Sequence, residues 1–137
     1  MSVTKLYRIG NYLHKRNIPG AAFLFKLLIR VVFNCAVDPR TKIGKGSFFA
    51  YGGIAVVIHR LAVIGDNVTI SQCVTIGGRS KISRLPTVGN NVYIGAGAII
   101  LGDISIGDNA VIGAGSVLID NVAIGEVWAG VPARKIN

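Results

Sequence analysis

The chain has 137 residues, which is one domain's worth of sequence and leaves no length for a second catalytic domain beside it. Hydrophobic residues make up 51% and charged residues only 15%, well below the roughly one quarter of an average soluble domain, so disorder is excluded and a dense core is implied. Fifteen Lys and Arg against six Asp and Glu give a net charge of +9, which favours anionic partners. Eighteen glycines beside four prolines, without a G-X-Y period, exclude collagen and point to regular tight turning.

Val3 to Lys15 and Gly20 to Asn34 carry helical spacing, separated by a Pro19-Gly20 break. In the second segment Leu24, Leu27, Leu28, Val31 and Val32 form one apolar stripe, expected to pack on the rest of the domain or on a neighbouring subunit. Peripheral membrane contact through the basic N-terminal helices is the alternative, because residues 1–42 hold Lys5, Arg8, Lys15, Arg16, Lys26, Arg30, Arg40 and Lys42 against Asp38 alone. The apolar run Ala21 to Ala36 is interrupted by Lys26 and Arg30 and is shorter than the ~20 residues a membrane span needs. With no signal-peptide pattern, and with Cys35 and Cys73 too few for a disulfide scaffold or zinc site, a reduced cytoplasmic protein is expected.

From position 58 every sixth residue is aliphatic: Ile58, Ile64, Ile70, Ile76, Ile82, Val88, Ile94, Ile100, Ile106, Ile112, Leu118 and Ile124. Two residues before each lies a residue that is mostly small or β-branched, and glycine follows at Gly65, Gly77, Gly89, Gly95, Gly107, Gly113 and Gly125. Inward i and i−2 followed by a turn describes a mainly β chain, a parallel β-helix of triangular section with three hexads to a coil. Twelve hexads make four coils. The stretch between Ile76 and Val88 keeps register through Ile82, but Arg79, Lys81, Arg84 and Pro86 suit a coil poorly, so 77–87 is either a coil or a loop that lowers the coil count. The division expected is 1–37 helical, 38–126 β-helix and 127–137 a C-terminal tail.

The chemistry has few candidates. His14 reads as a solvated helix residue, whereas His59 sits at the first coil corner and should point outward. Asp66-Asn67, Asp108-Asn109 and Asp120-Asn121 recur at corners, where Asp and Asn serve turns. No metal-ligand cluster, phosphate loop or G-x-S-x-G elbow occurs. Nucleic-acid binding is not expected, since Phe23, Phe25, Phe33, Phe48 and Phe49 read as buried.

The ordered set VTIGG, IGAGA, IGAGS and AGVPAR, with YGGIAVVIHRLAVIGDN before it, resembles the hexapeptide-repeat acyltransferases, in the serine O-acetyltransferase branch and its shorter sugar-acetylating relatives. The resemblance covers roughly residues 38–136. It implies a left-handed parallel β-helix, a homotrimer with active sites between subunits, acetyl-CoA as donor and a small-molecule acceptor. Its pantetheine path falls here on Gly78, Ala96 and Ala114, with Arg79, Arg134 and Lys135 as candidates for the CoA phosphates. The family's first histidine falls on Tyr51 or Gly52 and its second on Leu85, so neither is present. His59 is therefore the expected general base, with Tyr51 orienting the acceptor or the imidazole. The missing loop histidine points to a sugar hydroxyl over free serine. An idle prism binding an anionic partner is the reading from another class.

Overall fold

A computed structural model describes all 137 residues. Two helices, α1 (Val3–Lys15) and α2 (Ala21–Phe33), precede a prism of short parallel strands. Ser2 caps α1 by accepting from the Lys5 N–H, and His14 and Lys15 sit where the carbonyl end of the helix favours cations. The two helices approach so closely that a Cβ on Gly10 would lie 2.6 Å from that of Phe25. Helix α1 is fastened to the first coil: the Tyr7 hydroxyl donates to the Thr41 carbonyl at 2.6 Å and accepts from the Ile43 N–H at 3.2 Å. Arg8 donates to the carbonyls of Ile43 and Ser47 from the same helix.

The prism has three faces of stacked parallel strands. The first is Lys42–Ile43, Val63–Ile64, Thr87–Val88 and Ser105–Ile106; the second is Phe48–Phe49, Thr69–Ile70, Tyr93–Ile94 and Val111–Ile112; the third is Val57–Ile58, Thr75–Gly77, Ile99–Leu101 and Val117–Leu118. One residue of each strand points in and is buried, as the sixfold period requires. Between the first and second faces, the Lys45, Asp66 and Asn90 N–H groups donate to the side chains of Asp66, Asn90 and Asp108, each one coil further on. The corner Asp and Asn residues thus join coils as well as turning them.

The sixfold pattern is interrupted twice. Ile82 is 39% exposed and outside the prism, because residues 78–85 leave as a loop; Pro86, expected to suit a coil poorly, is buried and its carbonyl accepts from the Val63 N–H, and the first face resumes at Val88, twelve residues after Ile76. The coil count still reaches four, since the first coil begins at Lys42, ahead of the run that starts at 58. That first coil has an enlarged corner: Phe49 to Ile58 spans nine residues where Ile70 to Ile76 spans six. Ile124, the last aliphatic of the run, is 73% exposed because regular coiling stops once Val122 has bridged to Ile106. Residues beyond it form an antiparallel hairpin, Val127–Gly130 with Ala133–Lys135, which extends the second face.

Within this chain the expected stripe of α2 meets the prism only through Leu28. Leu24, Leu27, Val31 and Val32 face solvent, whereas Ile29 is fully buried, with Phe25, Leu28 and Phe33 packed against the core. Phe23 and Phe48, expected to be buried, are also exposed. One cluster of 28 buried residues joins Val3, Leu6, Tyr7 and Ile29 to the prism interior, so helices and coils share a core.

Candidate active site

The candidate residues fall on two edges of the prism. His59, Gly78 and Arg79 lie where the chain passes from the third face to the first, hereafter the histidine edge. Tyr51, Ala96 and Ala114 lie where it passes from the second face to the third, the alanine edge. A whole face separates the two edges, so one chain does not bring His59 and Tyr51 together.

His59 is exposed at a tight turn in which its carbonyl accepts from the Ala62 N–H at 3.0 Å and its own N–H donates to the Ile76 carbonyl at 2.8 Å. The imidazole Nδ1 accepts from the Leu61 N–H at 3.1 Å. A neutral imidazole holding that bond carries its proton on Nε2, which makes Nε2 a donor. Tyr51 is 77% exposed with left-handed backbone, φ 51° and ψ 38°, within the enlarged corner of the first coil. The loop packs back on the histidine edge: a Cβ on Gly102 would lie 3.2 Å from that of Arg79, and Leu85 lies over Gly78. Leu85 is half-buried against the core and carries no proton to exchange.

Along the alanine edge the backbone is stacked tightly. The N–H of Cys73 donates to the Ile54 carbonyl, Gly97 to Gln72 and Gly115 to Ala96, at 2.8, 2.9 and 2.8 Å. The Gln72 side-chain carbonyl is buried there without a partner, a polar group the periodicity could not single out because glutamine at a corner has no pattern. Above Ala114, Ala129 lies over Gly113 and pairs in register with Arg134.

The cations proposed for phosphate binding differ in how they are held. Arg134 meets Asp120 at 3.3 Å with both side chains largely exposed, a pairing that solvent screens and an anion can replace. Lys135 is instead committed to Glu126 at 3.0 Å. The Trp128 indole N–H, the Lys135 ammonium and the Ala123 N–H together bring the Glu126 carboxyl down to about 2. Arg79 is exposed on the loop. No group of three or more His, Cys, Asp or Glu is arranged to hold a metal ion.

Residues 86–120 match the bacterial transferase hexapeptide family (six repeats). A serine acetyltransferase of Helicobacter pylori is 43% identical over 100 residues, 72% of this chain and 58% of the relative. Among solved structures, the serine acetyltransferase of Brucella abortus in complex with coenzyme A superposes with a TM-score of 0.90 at 35% identity, covering 98% of this chain and 54% of that one. A soybean serine acetyltransferase complexed with serine superposes with a TM-score of 0.88 at 38% identity, covering 98% and 56%. The chain thus spans a little over half the length of these relatives. Its four coils, two leading helices and ordered corner motifs are those of a left-handed parallel β-helix, and the chain belongs to the hexapeptide-repeat transferases, in the branch of the serine acetyltransferases.

Proposed function

We propose that the protein is an acetyl-CoA-dependent O-acetyltransferase that works as a homotrimer, with each site between the histidine edge of one prism and the alanine edge of the next. The observation that carries this reading is the division of the candidate residues between two edges a face apart, which only a neighbouring copy can oppose. Exposed apolar residues on the third face and its borders, Ile54, Val57 and Leu61, support such a neighbour. The relatives' crystal complexes with coenzyme A and with serine support the donor and the class of acceptor.

In this reading the donor's narrow arm runs along Ala96 and Ala114, where small side chains let a ligand reach the backbone, and past Gly78 on the facing edge. Arg134 exchanges Asp120 for a CoA phosphate, and Arg79 supplies a second cation. The acceptor oxygen attacks the thioester carbonyl carbon, His59 takes the hydroxyl proton, and the carbon–sulfur bond breaks to release the CoA thiol after it regains a proton. His59 must first free Nδ1 or exchange its proton between nitrogens. Releasing the exposed Leu61 N–H to water costs about 1 kcal/mol, small beside the gain from base catalysis. Tyr51 orients the acceptor.

A sugar hydroxyl as acceptor is the second reading, resting on Leu85, whose apolar side chain leaves the loop without a histidine at that place. Thiol release from acetyl-CoA with serine, simple sugars and nucleotide sugars tests both readings. Release that depends on one acceptor and falls by ~10² in His59→Ala supports transfer with His59 as base. Full activity in that variant moves the base elsewhere, and no release together with no acetyl-CoA binding leaves an idle prism.

A further inference from the structure

We propose that the outer face of the α1–α2 hairpin docks on an anionic lipid surface, its apolar stripe entering the acyl boundary and its cations meeting headgroup phosphates. Helix α2 is apolar on two opposite sides. Ala22, Phe25, Ile29 and Phe33 recur at helical spacing on the packed side. Phe23, Leu24, Leu27 and Val31 recur on the other and are 71%, 52%, 49% and 74% exposed. A helix apolar all round needs cover on both sides, and within this chain only one side has it.

Charge selects the occupant. Residues 1–42 contain Lys5, Arg8, Lys15, Arg16, Lys26, Arg30, Arg40 and Lys42 against one acid, the buried Asp38, which pairs with Arg40 at 2.7 Å and lies 3.7 Å from the half-exposed Lys26, leaving Lys5, Lys15, Arg16 and Arg30 without an acidic partner. Lys26 and Arg30, one turn apart, border the exposed stripe, and the outer side of α1 alternates Lys5, Ile9, Tyr12 and Arg16, all exposed. Long cationic side chains interleaved with apolar ones suit a bilayer interface, where stems lie in the apolar layer and heads reach the phosphates. A second copy laid on this face would set these cations against their own kind. At the hairpin turn, Phe23 also walls a cleft of about 370 Å³ with His14 and Arg40, the Arg40 guanidinium being paired with the buried Asp38 at 2.7 Å. No helix is long and apolar enough to cross a membrane, so the hairpin lies on the surface.

The test is cosedimentation of the full chain with phosphatidylcholine vesicles, with and without phosphatidylglycerol, at low and high salt. Binding is expected only to the anionic vesicles, weaker at high salt, and reduced about tenfold or more both in Leu27→Asp and in Lys26→Gln/Arg30→Gln. Thiol release in the absence of vesicles should match the parent in both variants, so failure here is separable from failure of the proposed activity. Equal binding by Leu27→Asp would reduce the attraction to net charge alone and overturn the docking face, as would equal binding to neutral vesicles. Absence of binding, with an assembly larger than a trimer that Leu27→Asp breaks in light scattering, would assign the stripe to a second copy instead.

Discussion

The Leu61 backbone N–H donates to Nδ1 of His59 across a two-residue gap, which ties the one imidazole on the candidate site to the turn that carries it. Turn and chemistry can be separated by choosing which half of the imidazole to keep. Asn at position 59 places a carbonyl oxygen near the Nδ1 position and retains an acceptor for Leu61, but it takes no proton at neutral pH. His59→Asn is therefore expected to unfold at the parent temperature while acetyl transfer falls ~10²-fold or more. Thermal unfolding beside thiol-release kinetics checks both halves. Parental activity in this variant would show that the histidine serves only the turn.

Three corner glycines answer different demands, and alanine at each should separate them. At Gly95 a Cβ would lie 2.5 Å from the Ala114 backbone nitrogen, so the coils must part to admit it. Gly115 has open space around it but a φ of +67°, so alanine there pays only for left-handed backbone. Gly77 has neither constraint. Expected losses in denaturant unfolding are about 3 kcal/mol or more for Gly95→Ala, about 1 kcal/mol for Gly115→Ala, and within about 0.5 kcal/mol for Gly77→Ala. Because Gly95 precedes Ala96 and packs on Ala114, both on the proposed donor path, its variant should also bind acetyl-CoA less well.

The C-terminal hairpin carries a pH dependence of known sign. Trp128, Lys135 and Ala123 hold the folded Glu126 carboxyl at about 2, against an ordinary 4.5. A carboxyl lowered on folding adds stability in full above its unfolded value and loses it as the pH falls toward its folded one. The gap in unfolding temperature between the parent and Glu126→Gln should be widest at neutral pH and close between about 4.5 and about 2. A gap that stays constant over that range would remove Glu126 as its cause.

The prism was legible because an inward position tolerates only an aliphatic side chain, and a fixed coil length repeats that demand every sixth residue. Ile82 shows where this logic fails. A loop that adds six residues between consecutive faces keeps the count intact, so the periodicity alone does not reveal it; the cations on either side of Ile82 were the better signal. In α2 two apolar stripes share one helix, and composition does not say which of them meets the core; packing selected the side of Ile29 and left Leu27 outside. Tyr51 and His59 are eight residues apart in sequence yet stand on different edges, because a whole strand of the third face lies between them. The pairing of Lys135 with Glu126 depends on the antiparallel register of the hairpin, which the tail sequence does not fix.

The loop offers the sharpest separation of fold from function. Ile76 and Val88 are twelve residues apart, and deleting Arg79 to Arg84 brings them to the six that every regular corner of the prism spans. The shortened corner would read Gly77-Gly78-Leu85-Pro86 before the first face resumes at Thr87. Arg79 and Ile82 contact Gly102 from outside, so their removal uncovers a corner without opening the core. The deletion is expected to fold, to keep its assembly in light scattering, and to lose no more than ~1 kcal/mol in denaturant unfolding, the loop closure it no longer has to make offsetting part of the lost contact. Acceptor-dependent thiol release should nonetheless fall by ~10-fold or more, because the loop supplies Arg79 and one wall of the histidine edge. An unfolded product would mean that the loop braces the second and third coils. Unchanged turnover would exclude it from the site and leave the acceptor to be held by the neighbouring prism.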